Sequence, residues 1–370
     1  MVLETLVDRL GENSSLALGA LLIGVVFGFM AQRSRFCLRT AVVEFANNLG
    51  GGRLTVWLFA FATALVCTQG LAWWALFDAS NARQLASRGS LSGALVGGAL
   101  FGMGMILARG CSSRLLILAA QGNLRSLMSG LIFAVTAQAA LTGALSPLRL
   151  AISEWWTIEG GSRDLIQRTG LGHGAAVLFG LLWLLAAIFW ARRQRVPSWG
   201  WAGAIGVGLT IAAAWWFTYA MSLLAFDSHP IQSLSFTGPS SEVLSRVLFV
   251  TDRPVTFDLG LVPGVFIGAF LAAALFGELK LEGFVGGASM RRYIAGAICM
   301  GFGGMLAGGC AVGAGLSGAA VFNITSWMTL LSIWASAALT DRLIDQRPGS
   351  AVDPVPPAFP SSKAETGSFA

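Results

Sequence analysis

From Tyr293 to Thr340 the chain runs 48 residues without one Asp, Glu, Lys or Arg. Shorter charge-free apolar stretches occupy 14–31, 54–77, 91–108, 126–148, 172–191, 199–226 and 259–277. About 20 predominantly apolar residues in a helix cross the hydrocarbon of a bilayer, and these stretches are close to that length. The 48-residue stretch is too long for one crossing. It divides at the glycine-rich region Gly308 to Gly318 into 293–309 and 324–341, which makes about nine candidate spans. Helices are expected because a lipid-exposed backbone has to satisfy its own hydrogen bonds; the ten-residue alternation of barrel strands is absent. Only 11% of the 370 residues are charged, where a soluble domain carries roughly 25%. An integral membrane protein follows, and the composition argues against a cytosolic enzyme or a nucleic-acid binder. The five cysteines (Cys37, Cys67, Cys111, Cys299 and Cys310) contain no CxxC pair and fit neither a disulfide framework nor a zinc site.

Orientation is read from Lys and Arg in the connections. Of the 24, 16 lie after the first, third, fifth and seventh spans and in the C-terminal tail, with Arg192, Arg193 and Arg195 the densest group. The N-terminus is therefore expected outside and the C-terminus in the cytoplasm. Glu4, Asp8 and Arg9 give residues 1–13 no signal-peptide character, so the chain is expected to insert through its own spans. Pro348 to Ala370 carries five of the eleven prolines, and 346–370 reads as a disordered cytoplasmic tail. The connection from Asp227 to Asp258 contains Pro230, Pro239 and Pro254 and is expected to fold at the membrane surface or dip into the protein.

An internal repeat organises the rest. Residues 102–111 (GMGMILARGC) and 301–310 (GFGGMLAGGC) agree at six of ten positions, at an offset of 199. Gln32, Phe36 and Cys37 align with Gln232, Phe236 and Thr237 at an offset of 200. Two four-span units result, 14–148 and 199–345, joined by 149–198 with the fifth span. An odd displacement, from first span to sixth, makes the second unit cross the membrane in the opposite sense. The expected fold is an all-α membrane protein of two inverted-topology repeats with short re-entrant half-helices. Such repeats mark secondary transporters, with the substrate site near mid-membrane.

The chemistry-bearing residues follow from that repeat. Cys111 and Cys310 occupy equivalent positions after Gly110 and Gly309, where glycine lets the backbone turn sharply. The segments after them are too short to span. Half-helices there would aim free N–H groups at a solute beside the thiol, an anion site that begins at Ser112 and is reinforced by Arg109 and Arg114. Cys37 lies in QRSRFC with Arg33, Arg35 and Arg39 around it; positive-inside sorting accounts for the arginines but not the thiol. Cys67 and Cys299 read as packing residues. Asn123 and Asn323 recur after the two Gly-Cys turns. His173 and His229 are given no catalytic role. No P-loop appears, and no Asp or Glu within the candidate spans marks a proton relay. Arginine makes up 22 of the 24 positive residues; it keeps its charge when desolvated and can grip an oxyanion with two N–H groups.

QRSRFC after the first span, ARGCSSR in the first unit and GGC in the second together resemble the YeeE/YedE family of bacterial inner-membrane proteins for sulphur-compound transport. The resemblance covers nearly the whole chain apart from the tail. It implies an hourglass of inverted repeats through which thiosulfate passes Cys37, Cys111 and Cys310, with no cofactor and no catalysis. It also implies a small sulfurtransferase-like cytoplasmic partner. Many members have Gly where this chain has Arg109. Two alternatives stay open: a membrane thiol–disulfide or sulphur-transfer enzyme, against which the spread of the cysteines over three loops counts, and a transporter of sulfite or a selenium species.

Overall fold

The computed structural model describes residues 2–345 apart from 48–50, 161, 171, 195, 226–228, 249–253 and 284–286. The tail at 346–370 and Arg195 lie outside the described residues. The first part of the chain forms α1 (Val2–Leu10), α2 (Glu12–Arg33), α3 (Leu38–Ala46), α4 (Gly52–Trp73), α5 (Arg83–Ala86), α6 (Leu91–Leu107), α7 (Ser112–Ala120) and α8 (Leu124–Leu141). Two short helices, α9 (Ser146–Glu154) and α10 (Leu165–Thr169), lead to α11 (His173–Gln194). Then come α12 (Ser198–Leu224), α13 (Thr237–Leu248), α14 (Phe257–Leu275), α15 (Gly287–Leu306) and α16 (Ile324–Thr340). A π-helical turn, Gly313–Gly318, separates the last two. Strand pairing is confined, among the described residues, to β1 (Gly89–Ser90) antiparallel to β2 (Thr157–Ile158), apart from isolated bridges.

This is an all-α membrane protein. Seven stretches are long and apolar enough to cross a bilayer, within Glu12–Ala46, Gly52–Trp73, Leu91–Ala120, Leu124–Leu141, His173–Gln194, Ser198–Leu224 and Phe257–Leu275. The two further spans expected from the 48-residue run correspond to α15 and α16. Neither joins the seven: α15 carries Arg291 and Arg292 near its start, and α16 has only 17 residues. Asp258 falls in the first turn of α14, because that helix starts at Phe257 and not at 259. The 227–258 connection does dip inward in part, with Leu234, Phe236 and Thr237 buried.

Lipid tails are as apolar as leucine, so helices in a bilayer associate through close packing rather than hydrophobic exclusion. Glycine provides that closeness here. Along α2 and α14, Gly24 and Gly28 lie against the backbones of Leu261 and Val265, while Gly260, Gly264 and Gly268 lie against those of Ala17, Leu21 and Val25. Between α6 and α15 the contact is reciprocal: Gly97 meets Gly303 and Gly104 meets Gly296. α6 also packs on α16, α8 on α15, and α4 on α11 and α12. α11 turns Leu178, Leu182, Leu185 and Phe189 outward, an apolar face suited to lipid. Phe27, Phe36, Phe101, Phe133, Trp215 and Phe236 fill the centre.

Charged residues gather at two ends of the bundle. The start of α8, the end of α14 and the end of α2 meet around Arg35. The other ends of α8 and α14 meet with Arg83. With 18 residues in α8, the two ends stand about 27 Å apart, close to one hydrocarbon thickness.

Candidate functional site: three capped thiols between two charged mouths

Each of the three cysteines named from the sequence follows a helix that stops in the same way. At the end of α2, Arg35 takes a left-handed φ of 52°. Its N–H bonds the Gln32 carbonyl, and that of Phe36 bonds the Ala31 carbonyl. At the end of α6, Arg109 has φ 56°, with Arg109 N–H on Ile106 and Gly110 N–H on Met105. At the end of α15, Gly308 has φ 76°, with its N–H on Met305 and that of Gly309 on Gly304. These are Schellman terminations, which satisfy the last carbonyls by a left-handed residue and a six-to-one bond. The cysteine comes immediately after each stop. Cys37 and Cys111 sit at the caps of α3 and α7, and Cys310 leads into the π-helical turn. The short segments expected after Cys111 and Cys310 are α7, nine residues long, and that turn.

All three thiols are buried, with 6% of Cys37, 1% of Cys111 and none of Cys310 exposed, and all belong to one continuous core. The Gly313 N–H donates to the Cys310 sulphur at 3.4 Å. The N–H groups of Thr40 and Arg114, at the same spacing, lie against Cys37 and Cys111. The Cys37 and Cys111 side chains lie side by side. Ser113 Oγ is 3.4 Å from Cys111 Sγ. The spread of these residues over three loops therefore does not separate them: 74 positions apart in sequence, Cys37 and Cys111 touch. Among the described residues, buried Ser112 presents a hydroxyl with no protein partner, as does Thr237, which aligns with Cys37. Oxygens left so are available to a passing solute or water.

Arg39, Arg53 and Arg114 stand near enough to act electrostatically on the Cys37 sulphur. Arg53 escaped the sequence reading because it opens α4, beyond the local motif. Arg33 turns aside, its guanidinium 3.6 Å from the Phe276 ring centroid. Arg33 and Arg35 pair with Glu278 at 3.7 and 3.8 Å. Asn123 and Asn323 cap α8 and α16, accepting from the N–H groups of Ser126 and Thr325. Asn123 also donates to Glu282 and lines the cavity at the Arg35 end.

That cavity, about 280 Å³, is walled by Gln32, Arg35, Arg114, Glu278 and Lys280 among others. At the other end a cavity of about 680 Å³ contains Arg83, Glu242, Arg246 and Asp258. A neighbouring one of about 390 Å³ shares Arg83 and adds Arg88, Arg149 and Arg163. Arg163 is buried and donates to the Ser87 carbonyl and to Thr325 Oγ1 at 2.7 and 2.6 Å. Burial pushes its pKa down to about 10, which leaves it charged at neutral pH. His173 Nδ1 meets Gln69 Oε1 at 3.0 Å, and His229 pairs with Glu12 at 3.7 Å.

An α-helical, multi-pass membrane protein with buried thiols at helix breaks and arginine-lined cavities at two ends of its bundle is the class that fold and site define. The family model described as "Sulphur transport" matches residues 33–339, and the chain belongs to that family, YeeE/YedE. It is 25% identical over 336 residues to the thiosulfate transporter TsuA of Spirochaeta thermophila, covering 86% of this chain and 97% of that protein. It is 24% identical over 343 residues to the thiosulfate transporter TsuA of Escherichia coli, covering 88% and 95%. Family and relatives indicate a transporter rather than an enzyme.

Proposed function

We propose that this protein imports thiosulfate, or a closely similar sulphur-containing anion, across the bacterial inner membrane past Cys310, Cys111 and Cys37. The observation that carries the reading is the buried thiol pair, Cys37 against Cys111, beneath the arginine-lined cavity at the Arg35 end. The relatives named as thiosulfate transporters support the substrate.

In this reading α15 and α16 also cross, which gives nine spans, and the two units, 14–148 and 199–345, are inverted repeats. The pattern of packing supports it. α2 on α14 is mirrored by α12 on α4, α6 on α16 by α15 on α8, and α13 on α8 by α3 on α16. The excess of Lys and Arg at the Arg35 end makes that end cytoplasmic, with the N-terminus outside. A sulfurtransferase-like partner would receive the anion there.

Thiosulfate is a dianion with a soft terminal sulphur and hard sulfonate oxygens. Arginines at the mouths, with Ser112 and the N–H groups that follow the Gly110 and Gly309 turns, would hold the oxygens. A neutral thiol donates weakly to the sulphur, whereas a thiolate would repel the dianion. Weak successive contacts suit passage, because a site has to be left as well as entered. Replacing Cys111 or Cys310 by Ala removes a donor without changing a helix. Uptake of radiolabelled thiosulfate into proteoliposomes, with no redox partner present, is expected to fall at least tenfold in either variant. Wild-type uptake rates in both would sink the thiol path. Competition by sulfate, sulfite and selenium oxyanions defines the substrate range.

A further inference from the structure

The two mouths share a connection that neither the family nor the thiol path accounts for. At the Arg35 end, Arg114 Nη1 donates to Gln32 Oε1 at 3.2 Å, and Gln32 Nε2 donates to Glu278 Oε2 at 2.6 Å. At the Arg83 end, Arg83 Nη1 donates to Gln232 Oε1 at 2.8 Å, and Gln232 Nε2 donates to Asp258 Oδ1 at 3.0 Å. A guanidinium is all donor and a carboxylate all acceptor, so each amide has one orientation that satisfies both neighbours. The two glutamines are the pair that aligns at an offset of 200, yet their charged partners come from non-equivalent parts of the chain. Arg114 lies in α7 and Arg83 in α5; Glu278 follows α14 and Asp258 opens it. The same arrangement has been assembled twice from different pieces.

Burial divides each arrangement in two. Gln32 and Gln232 are buried, whereas Arg83 is exposed and Arg114, Asp258 and Glu278 are half-buried. Both charges of each set line one cavity, Arg114 and Glu278 in one, Arg83 and Asp258 in the other. The amide is thus a fixed hub, and the charged groups face the space an anion enters. Each guanidinium already has an anion within reach through the amide, one that belongs to the protein.

We infer that Arg114–Gln32–Glu278 and Arg83–Gln232–Asp258 are two exchange sites for a tetrahedral sulphur oxyanion, at which the carboxylate acts as a tethered competitor. The entering oxyanion takes the guanidinium, the carboxylate repels it, and return of the carboxylate to the hub expels the anion. At half-buried Arg114 a bare guanidinium would hold a dianion too tightly for transport. The inference rests on the proposed anion path and adds a release device at each end. Asp258 governs capture outside, and Glu278, held also by Arg33 and Arg35, governs release inside.

The test is the concentration dependence of thiosulfate uptake into proteoliposomes, with thiosulfate binding to the detergent-solubilised protein by calorimetry as a second readout. Asp258→Asn keeps a carbonyl oxygen for the Gln232 amide and removes the charge. It is expected to lower both the half-saturating concentration and the Kd at least threefold, and Asp258→Glu to restore them. Glu278→Gln is expected to lower the maximal rate at least threefold. Unchanged kinetics and Kd in both neutral variants would overturn the inference, as would Asp258→Asn and Asp258→Glu behaving alike. Absence of thiosulfate uptake by the wild-type protein would instead condemn the proposed function, so the two failures are distinct.

Discussion

At Arg109 the chain places a large charged residue where its counterpart, Gly308, has none of the steric cost. Both are left-handed, at φ 56° and 76°. A residue with a Cβ costs about 1–2 kcal/mol in that conformation, against about 0.5–1 kcal/mol for the extra freedom of glycine in the unfolded chain. Arg109→Gly should therefore melt no lower than the parent in detergent, while Arg109→Val, which puts a β-branched residue in the left-handed region, should melt lower than the parent; a fluorescence-monitored thermal scan reads both. The cysteines themselves were legible, because Gly-Cys recurs at 110–111 and 309–310 and QRSRFC carries an unexplained thiol. Their setting was legible only in part. A left-handed Gly308 is what its residue type suggests, but nothing in the letters marks Arg35 or Arg109 as the left-handed residue of a helix stop. The contact of Cys37 with Cys111 joins α3 to α7 and leaves no local pattern at all. Gln32 and Gln232 could be aligned, but Glu278 lies 246 positions from Gln32.

Among the elements, the α2–α14 pair is the most exposed to small changes. A Cβ at Gly264 or Gly268 would overlap the carbonyl oxygen of Leu21 or Val25. Neither oxygen can retreat without bending α2, and overpacking of this kind costs about 1–3 kcal/mol. Gly268→Ala should lower the thermal midpoint of the solubilised protein, and Gly264→Leu should lower it further. Gly170, left-handed at φ 66° with open space around it, is the control. Gly170→Ala should show only the backbone cost of about 1–2 kcal/mol. Equal shifts in all three variants would mean that the two helices can separate enough to admit a side chain. The existence of these helices was plain from runs without charge. Their ends were less so, since caps and charges shift a boundary by a residue or more: Asn123 starts α8 at Leu124, two residues before the run at 126, and α14 takes Asp258 into its first turn. The β1–β2 pair, two residues a side, is below what alternation can reveal.

For the molecule as a whole, orientation is the property to measure. Cysteine introduced at Arg88, at the Arg83 end, should react with an impermeant maleimide added to intact spheroplasts, while cysteine at Arg193 should react only after the membrane is opened. The reverse pattern would invert the proposed topology. The native Cys37, Cys111 and Cys310 are buried and should stay silent in both experiments. The reciprocal meeting of Gly97 with Gly303 and Gly104 with Gly296 has a consequence of its own. A contact in which each side answers the other is what a two-fold homodimer makes. Separate halves would part on dilution in the bilayer, whereas one polypeptide keeps each beside its mate at an effective concentration on the order of millimolar. A homodimer must also repeat every substitution on both sides of its axis. In the proposed reading of two inverted repeats, a single gene carrying both halves is released from that bond, and Cys37 with no thiol at Thr237 is an inequality that a homodimer could not hold.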